Sequence, residues 1–227
     1  MQILIGIGIV IVGYILGSIP FGMLIVKIKT GKDIRKVESG RTGGTNVVRA
    51  AGFYPGLLTA ILDIAKGAVP VLIAETLLPE AHLIHVLAPL AAILGHNYSM
   101  FMIERDADGK IHFHGGAGGA TALGGAVGLW PGILPIVVAV GILTWVTIGI
   151  ASVTTLGIGL SVIIAFAVGV SKGYLEPVDL LYGIIANFLL IWALRPNIKK
   201  LFTGNERVVK YSLNGWLRAR KEKTSQK

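Results

Sequence analysis

Seven apolar stretches, each bounded by charge, glycine or proline, constrain this chain more than any other feature. They lie near residues 3–26, 54–78, 83–103, 116–130, 132–150, 152–170 and 178–194. A hydrocarbon core of about 30 Å is crossed by roughly 20 apolar residues wound as α-helix, and only helices or closed barrels satisfy their backbone hydrogen bonds there. The pattern therefore predicts an all-α integral membrane fold of about seven transmembrane helices. Charged residues are 15% of the chain, against roughly 25% in soluble domains. The run from Ile3 to Ile28 has no basic leader and exceeds signal-peptide length, so it reads as a retained first span. The fourth stretch is short, opened by Gly115, Gly116, Gly118 and Gly119 and closed by Trp130-Pro131-Gly132, which suits a broken or tilted helix lining a cavity.

An odd number of spans puts the termini on opposite faces. Lysine and arginine collect in cytoplasmic loops, and the segment 195–227 is rich in both. The C-terminus is thus expected inside and the N-terminus outside, with loops 27–49 and 104–114 and the turn 150–155 also inside. Residues 1–217 read as one multi-span membrane domain and 218–227 as a basic cytoplasmic tail. The formal charge of +9 sits in short stretches flanking apolar runs. It reports orientation and attraction to anionic lipids or substrates, and speaks against nucleic acid as a partner. With no cysteine, the chain has no disulfide, thiolate nucleophile, iron–sulfur cluster or thiolate zinc site.

Three segments expected on the inner face carry chemistry. The first, Glu38 to Arg49, combines glycines, hydroxyls and arginines in a form that suits phosphate. Gly40, Gly43 and Gly44 let backbone N–H groups converge, Ser39 and Thr45 offer hydroxyls, and Arg41 and Arg49 offer forked charged donors. A flexible basic loop meeting lipid headgroups has the same composition. In the second, His114-Gly115-Gly116-Ala117-Gly118-Gly119 leads into an apolar helix whose N-terminus favours anions. Such glycines serve close helix packing equally well. In the third, from Arg195 to Glu206, Pro196 is expected to stop the last helix and a short amphipathic segment to follow. A basic snorkelling belt is the plain alternative.

Asp63 and Lys66, three residues apart within the second stretch, share a helix face and can pair. Charge in lipid is costly, so they point into the bundle, as a brace or a substrate contact. Ser152, Thr154 and Thr155 at an inner turn either complete a site or cap a helix. His112-x-His114 has metal-ligand spacing, yet no carboxylate or thiol motif completes it, so no metal is expected.

In this order, these pieces resemble the PlsY family of bacterial membrane acyltransferases over nearly the whole chain. Gly17-Ser18-Ile19-Pro20-Phe21-Gly22 resembles its first-helix signature. Ser39-Gly40 through Gly43, Thr45-Asn46-Val47 and Arg49 resemble its first motif. Gly95-His96 with Gly115-Gly116, Gly118 and Ala120-Thr121 resembles the second, and Arg195, Asn197-Ile198, Leu201, Gly204 and Glu206 the third. The chain departs from the pattern at His114 and Ala117, where the family's loop has lysines, and at Leu194, where its third motif has histidine. Lys200 replaces that motif's second arginine, Arg41-Thr42 replaces Asn-Pro, and Ser152 to Gly157 lacks the inner turn's arginine. Arg105 to Phe113 stands as an insertion.

The resemblance implies transfer of a fatty acyl group from acyl phosphate to glycerol 3-phosphate, on the cytoplasmic side of a bacterial inner membrane, without cofactor. Ser39, Arg49 and Asn197 are the expected catalytic residues. Arg41, Gly43, Thr45, Asn46, His96, His114, Gly115, Gly116, Gly118, Thr155 and Arg195 are the expected substrate contacts. Membrane lipids are partners and the protein is expected as a monomer or weak homodimer. Two other readings remain open: a diverged relative that binds an anionic lipid or uses another donor or acceptor, and a small transporter. Polar groups crowding one face favour the enzyme over the transporter.

Overall fold

The computed structural model describes residues 1–209 and 212–225, with side chains to Arg220. Among the described residues there are ten α-helices, three short 3₁₀ turns and one β-hairpin. Helices α1 (Gln2–Ser18) and α2 (Phe21–Thr30) form one apolar span broken at Ile19-Pro20. Proline lacks an N–H and biases the residue before it toward extended backbone, and Ile19 has ψ 116°. Then come α3 (Gly44–Ala51), α4 (Phe53–Leu77), α5 (His82–Asn97), α6 (Gly119–Leu129), α7 (Leu134–Thr147), α8 (Ala151–Ser171), α9 (Pro177–Phe202) and α10 (Leu213–Ser225).

Every predicted apolar stretch is helical, but not all are full spans. Five segments among the described residues are long and apolar enough to cross a membrane: Gln2–Thr30, Phe53–Leu77, His82–Met102, Ala151–Ser171 and Pro177–Phe202. The other two are shorter, Gly119–Leu129 and Pro131–Thr147. With 11 residues, α6 rises only about 16 Å, half a hydrocarbon core.

Two expectations need correction. The fold is not purely helical, because the insertion forms strands β1 (Ile103–Arg105) and β2 (Ile111–Phe113), paired antiparallel with Ile103 opposite Phe113. Turn chemistry explains it. Asp106 Oδ1 accepts from the N–H groups of Asp108 (3.0 Å) and Lys110 (2.8 Å), and Gly109 takes φ 77°. Second, Pro196 does not end the last span, which runs on to Phe202. Proline frees the carbonyl four residues earlier, and here Arg195 Nε donates to that Trp192 oxygen at 2.8 Å. Helix α10 runs through residues 217 and 218, and residues 226–227 of the expected basic tail lie outside the described residues.

Lipid gives no hydrophobic drive between helices, so close packing relies on small residues at the contacts. Helix α1 lies on α5 this way: a Cβ on Gly17 would stand 2.1 Å from Ala92 O, and one on Gly95 2.2 Å from Tyr14 O. Helix α4 meets α6 likewise, with Gly124 against Ile64 O at 1.9 Å. Between α6, α8 and α9 a second packing centre forms around Phe166 and Tyr182, both fully buried, and the Tyr182 hydroxyl donates to Ala122 O at 2.6 Å. These contacts bring the ends of α2, α5 and α9 and the starts of α3, α4, α6 and α8 to one end of the bundle.

Gly17→Val should lower stability in detergent by about 1–3 kcal/mol, since the methyls meet Ala92 backbone that cannot yield. Gly8→Val, with nothing within 4 Å of its Cβ, is the matched control and should leave the unfolding midpoint nearly unchanged.

Candidate active site

The loop between α2 and α3 is folded by its own polar side chains. Asp33 accepts from the backbone N–H and guanidinium of Arg35, which holds its carboxyl down at about 2. Asn46 is buried and its Nδ2 bridges Val37 O (3.0 Å) and Arg41 O (2.9 Å), so it shapes the loop from within. Gly40 turns the chain at φ 68°, and Gly22 leaves room for Thr42 O, which a Cβ there would meet at 1.8 Å. Thr42 then donates its N–H to Gly115 O at 3.3 Å, joining the first segment to the second.

Arg41 joins the first segment to the third. Its Nη1 donates to Asn197 Oδ1 at 2.7 Å and its Nη2 to Ala193 O at 2.6 Å. Asn197 Nδ2 donates to Glu206 Oε1 at 2.8 Å, and Ser152 Oγ donates to the same oxygen at 3.3 Å. All three motif segments and the inner turn thus meet in one network. Burial lowers the pKa of Arg41 while Glu206 opposes the shift, and a guanidinium in this range stays charged. Among the described residues no carboxylate lies within ion-pair distance of Arg41 or Arg49. Arg49, on the solvent side of α3, is lowered first by partial burial of its head and then by the like charge of Arg207. Arg207 is itself paired with Glu38 at 2.9 Å.

The glycine loop differs in detail from the cradle expected of it. Gly116 donates its N–H to His96 O at 2.9 Å, and a Cβ on it would stand 2.0 Å from His96 Nε2. Its N–H is therefore engaged, and Gly116 is there for close packing. Gly118, at φ 84°, turns beside Asn97 Oδ1. The N–H groups with no helical carbonyl to meet belong to the first turn of α6, at Gly119, Ala120 and Thr121. Beneath the loop, His96 Nδ1 lies 3.6 Å from Asp63 Oδ1, Lys66 Nζ lies 2.9 Å from the same oxygen, and Lys66 also donates to Ile19 O at 2.9 Å. The buried Asp63 and Lys66 brace the break between α1 and α2 against the floor of the loop.

Other candidates are placed as follows. Ser39 is exposed, its Oγ 3.5 Å from Arg41 N, and Gly43 and Thr45 open α3 at the rim. Thr155 donates to Ala151 O at 3.0 Å and lies against Gly119. His114 Nε2 pairs with Glu104 at 3.1 Å, which also meets Arg35, so it ties the hairpin to the loop. Arg195 stacks on Trp192, 3.3 Å from the ring centroid, and takes no part in the Arg41 network. His112 pairs with Asp106 at 2.8 Å. Glu206 ends the third motif and Ser152 belongs to the inner-turn hydroxyls, but no spacing along the chain marks Glu206 as the hub or Ser152 as its partner. A cavity of about 220 Å³ runs between α4, α6, α8 and α9, lined by Ile64, Gly119, Thr155, Val162, Tyr182 and Asn187 among others. It joins the first turn of α6 to the apolar interior.

A model of the family described as glycerol-3-phosphate acyltransferase matches residues 7–204. The chain belongs to that family. It is 37% identical over 200 residues to the glycerol-3-phosphate acyltransferase of Myxococcus xanthus, covering 87% of this chain and 96% of that one. To the Aquifex aeolicus enzyme of the same name it is 38% identical over 201 residues, covering 87% and 95%. Its fold is similar to crystal structures of PlsY (YgiH), an integral membrane glycerol 3-phosphate acyltransferase. For the glycerol 3-phosphate form the TM-score is 0.79 at 34% identity, covering 90% of this chain and 95% of that one. For the lysophosphatidic acid form the TM-score is 0.75 at 32% identity, covering 91% and 96%.

A double-mutant cycle of Arg41→Ala and Asn197→Ala should give a coupling energy of about 1.5–3 kcal/mol in denaturant unfolding, as for a hydrogen bond to a charged group. Glu104→Gln, which breaks only half-exposed pairs, should cost less than about 1 kcal/mol.

Proposed function

We propose that this protein transfers a fatty acyl group from acyl phosphate to the 1-hydroxyl of glycerol 3-phosphate, releasing lysophosphatidic acid and inorganic phosphate. The observation that carries this reading is the pairing of two arginines that, among the described residues, have no carboxylate at ion-pair distance with an apolar cavity reaching the first turn of α6. Such a site suits substrates with phosphate heads and one long chain. The acyl chain occupies the cavity and its phosphate lies at Ser39, Arg49 and the N–H groups opening α6. Glycerol 3-phosphate binds beside Arg41, with Asn197 orienting its hydroxyl.

The acceptor oxygen attacks the acyl carbon, the bond from that carbon to the phosphate oxygen breaks, and phosphate leaves with its electron pair. The hydroxyl proton passes to a phosphate oxygen, so no side chain need act as base and no acyl-enzyme forms. Holding the hydroxyl against the acyl carbon supplies effective concentration, while arginines and backbone N–H groups stabilise the developing charge. No cofactor is required by this chemistry. Glu206 and Ser152 act behind Asn197, fixing its amide so that Oδ1 faces Arg41.

This reading includes a seven-span topology with the N-terminus outside and the site on the cytoplasmic face of a bacterial inner membrane. Support comes from the cations of loop 27–49 and of the segment after α9 at the site's end of the bundle. The short α6 and α7 together form the fourth and fifth crossings, with α6 starting within the membrane's thickness at the site.

The test is acyl transfer by purified protein with acyl phosphate and labelled glycerol 3-phosphate. Wild type should release lysophosphatidic acid, and Arg49→Ala should lower kcat by about 10²–10³, as for loss of one transition-state donor. Ala117→Lys should lower the KM for glycerol 3-phosphate. Product formation from acyl thioesters but not acyl phosphate, or an unimpaired Arg49→Ala, would overturn the assignment.

A further inference from the structure

Helix α10 lies beyond the stretch matched by the family model, which ends at residue 204. Leu213, Trp216 and Leu217 are 53%, 53% and 45% exposed. With Arg220 they fall at positions i, i+3, i+4 and i+7, a single stripe along the helix. The first turn is fixed to the bundle. Asn214 Nδ2 donates to Ile148 O at 3.1 Å, Val209 N donates to Gly149 O at 2.8 Å, and Ser212 Oγ caps Gly215 N at 3.0 Å. The stripe therefore begins beside the turn joining α7 to α8, where two apolar helices end. By composition the helix is basic, with Arg218, Arg220, Lys221 and Lys223 and one acidic residue, Glu222.

We propose that α10 is an interfacial helix, seating Leu213, Trp216 and Leu217 in the headgroup region of the bilayer at the active-site end, with Arg218 and Arg220 on anionic phospholipid. An amphipathic stripe flanked by cations and carrying a tryptophan is complementary to an anionic lipid surface. A second copy of this chain would set one basic helix against another. The segment 205–209 links α9 to α10 and carries Glu206 and Arg207, which bond Asn197, Ser152 and Glu38. A seated α10 holds that segment from its far side, and so holds Glu206 beneath Asn197. This last consequence rests on the acyltransferase reading; the seating itself does not.

The chain has no cysteine, so Leu217→Cys gives a single attachment point for a nitroxide. The full chain is placed in nanodiscs of phosphatidylcholine alone or mixed with phosphatidylglycerol. In the mixed discs the probe should gain oxygen accessibility and lose contact with aqueous nickel, and high salt or Arg218→Gln with Arg220→Gln should reverse both. A probe equally water-exposed in both bilayers overturns the proposal. So does shielding in lipid-free detergent, which assigns the stripe to a second copy if it grows with protein concentration and to internal packing if it does not. In the activity arm, phosphatidylglycerol should stimulate acyl transfer by wild type but not by the double variant. Equal stimulation of both removes the role in holding Glu206. A seated probe on a protein with no acyl transfer in any disc supports the docking and defeats the acyltransferase reading instead.

Discussion

The guanidinium of Arg41 is the contact on which the site depends. It is a cation taken largely out of water, and both of its described partners are neutral: the Asn197 amide oxygen and the Ala193 carbonyl. Burying a charge is tolerable only where its hydrogen bonds are met, and a pair of neutral acceptors meets them without cancelling the charge. The result is a fixed positive centre where the first and third segments meet. Glu206 tempers it at one remove, through Asn197, and among the described residues the guanidinium has no carboxylate at ion-pair distance.

The proline in α9 belongs to the same arrangement. Within a helix it removes one donor and disturbs the turn before it. Here Arg195 Nε takes the carbonyl that lost its donor, and Arg41 takes Ala193 O one residue on. Two arginines from different segments thus stabilise an interrupted turn, and Asn197 sits directly after the interruption. A local defect in the last span becomes the point where the first loop docks.

Glycine serves two physical ends in this chain. Along α1, α4, α5 and α6 it lets backbones touch in an environment where apolar side chains gain nothing by association. In the loop before α6 it lets the chain press against His96 and Asn97, which sit over the buried Asp63 and Lys66. The backbone N–H groups left without a helical carbonyl then belong to the first turn of α6, one step later in the chain than the glycines suggest.

The membrane class, the helical state of the apolar stretches, five of them among the described residues long enough to cross a membrane, and the three segments that meet were legible in the sequence, because bilayer thickness sets helix length and because glycine, hydroxyl and arginine clusters stand out against apolar runs. Asp63 with Lys66 was also legible, since three residues set their spacing on a helix. The β-hairpin was hidden in an insertion judged by length alone, and the run of α9 through Pro196 was hidden because its rescue comes from side chains. Which basic side chains meet a carboxylate was decided only in three dimensions: among the described residues His114 and Arg207 do, and Arg41 does not. Periodicity and composition act along the chain and can be read there. The pairing of Arg41 with Asn197, 156 residues apart, follows from how the helices pack, and no local pattern encodes it.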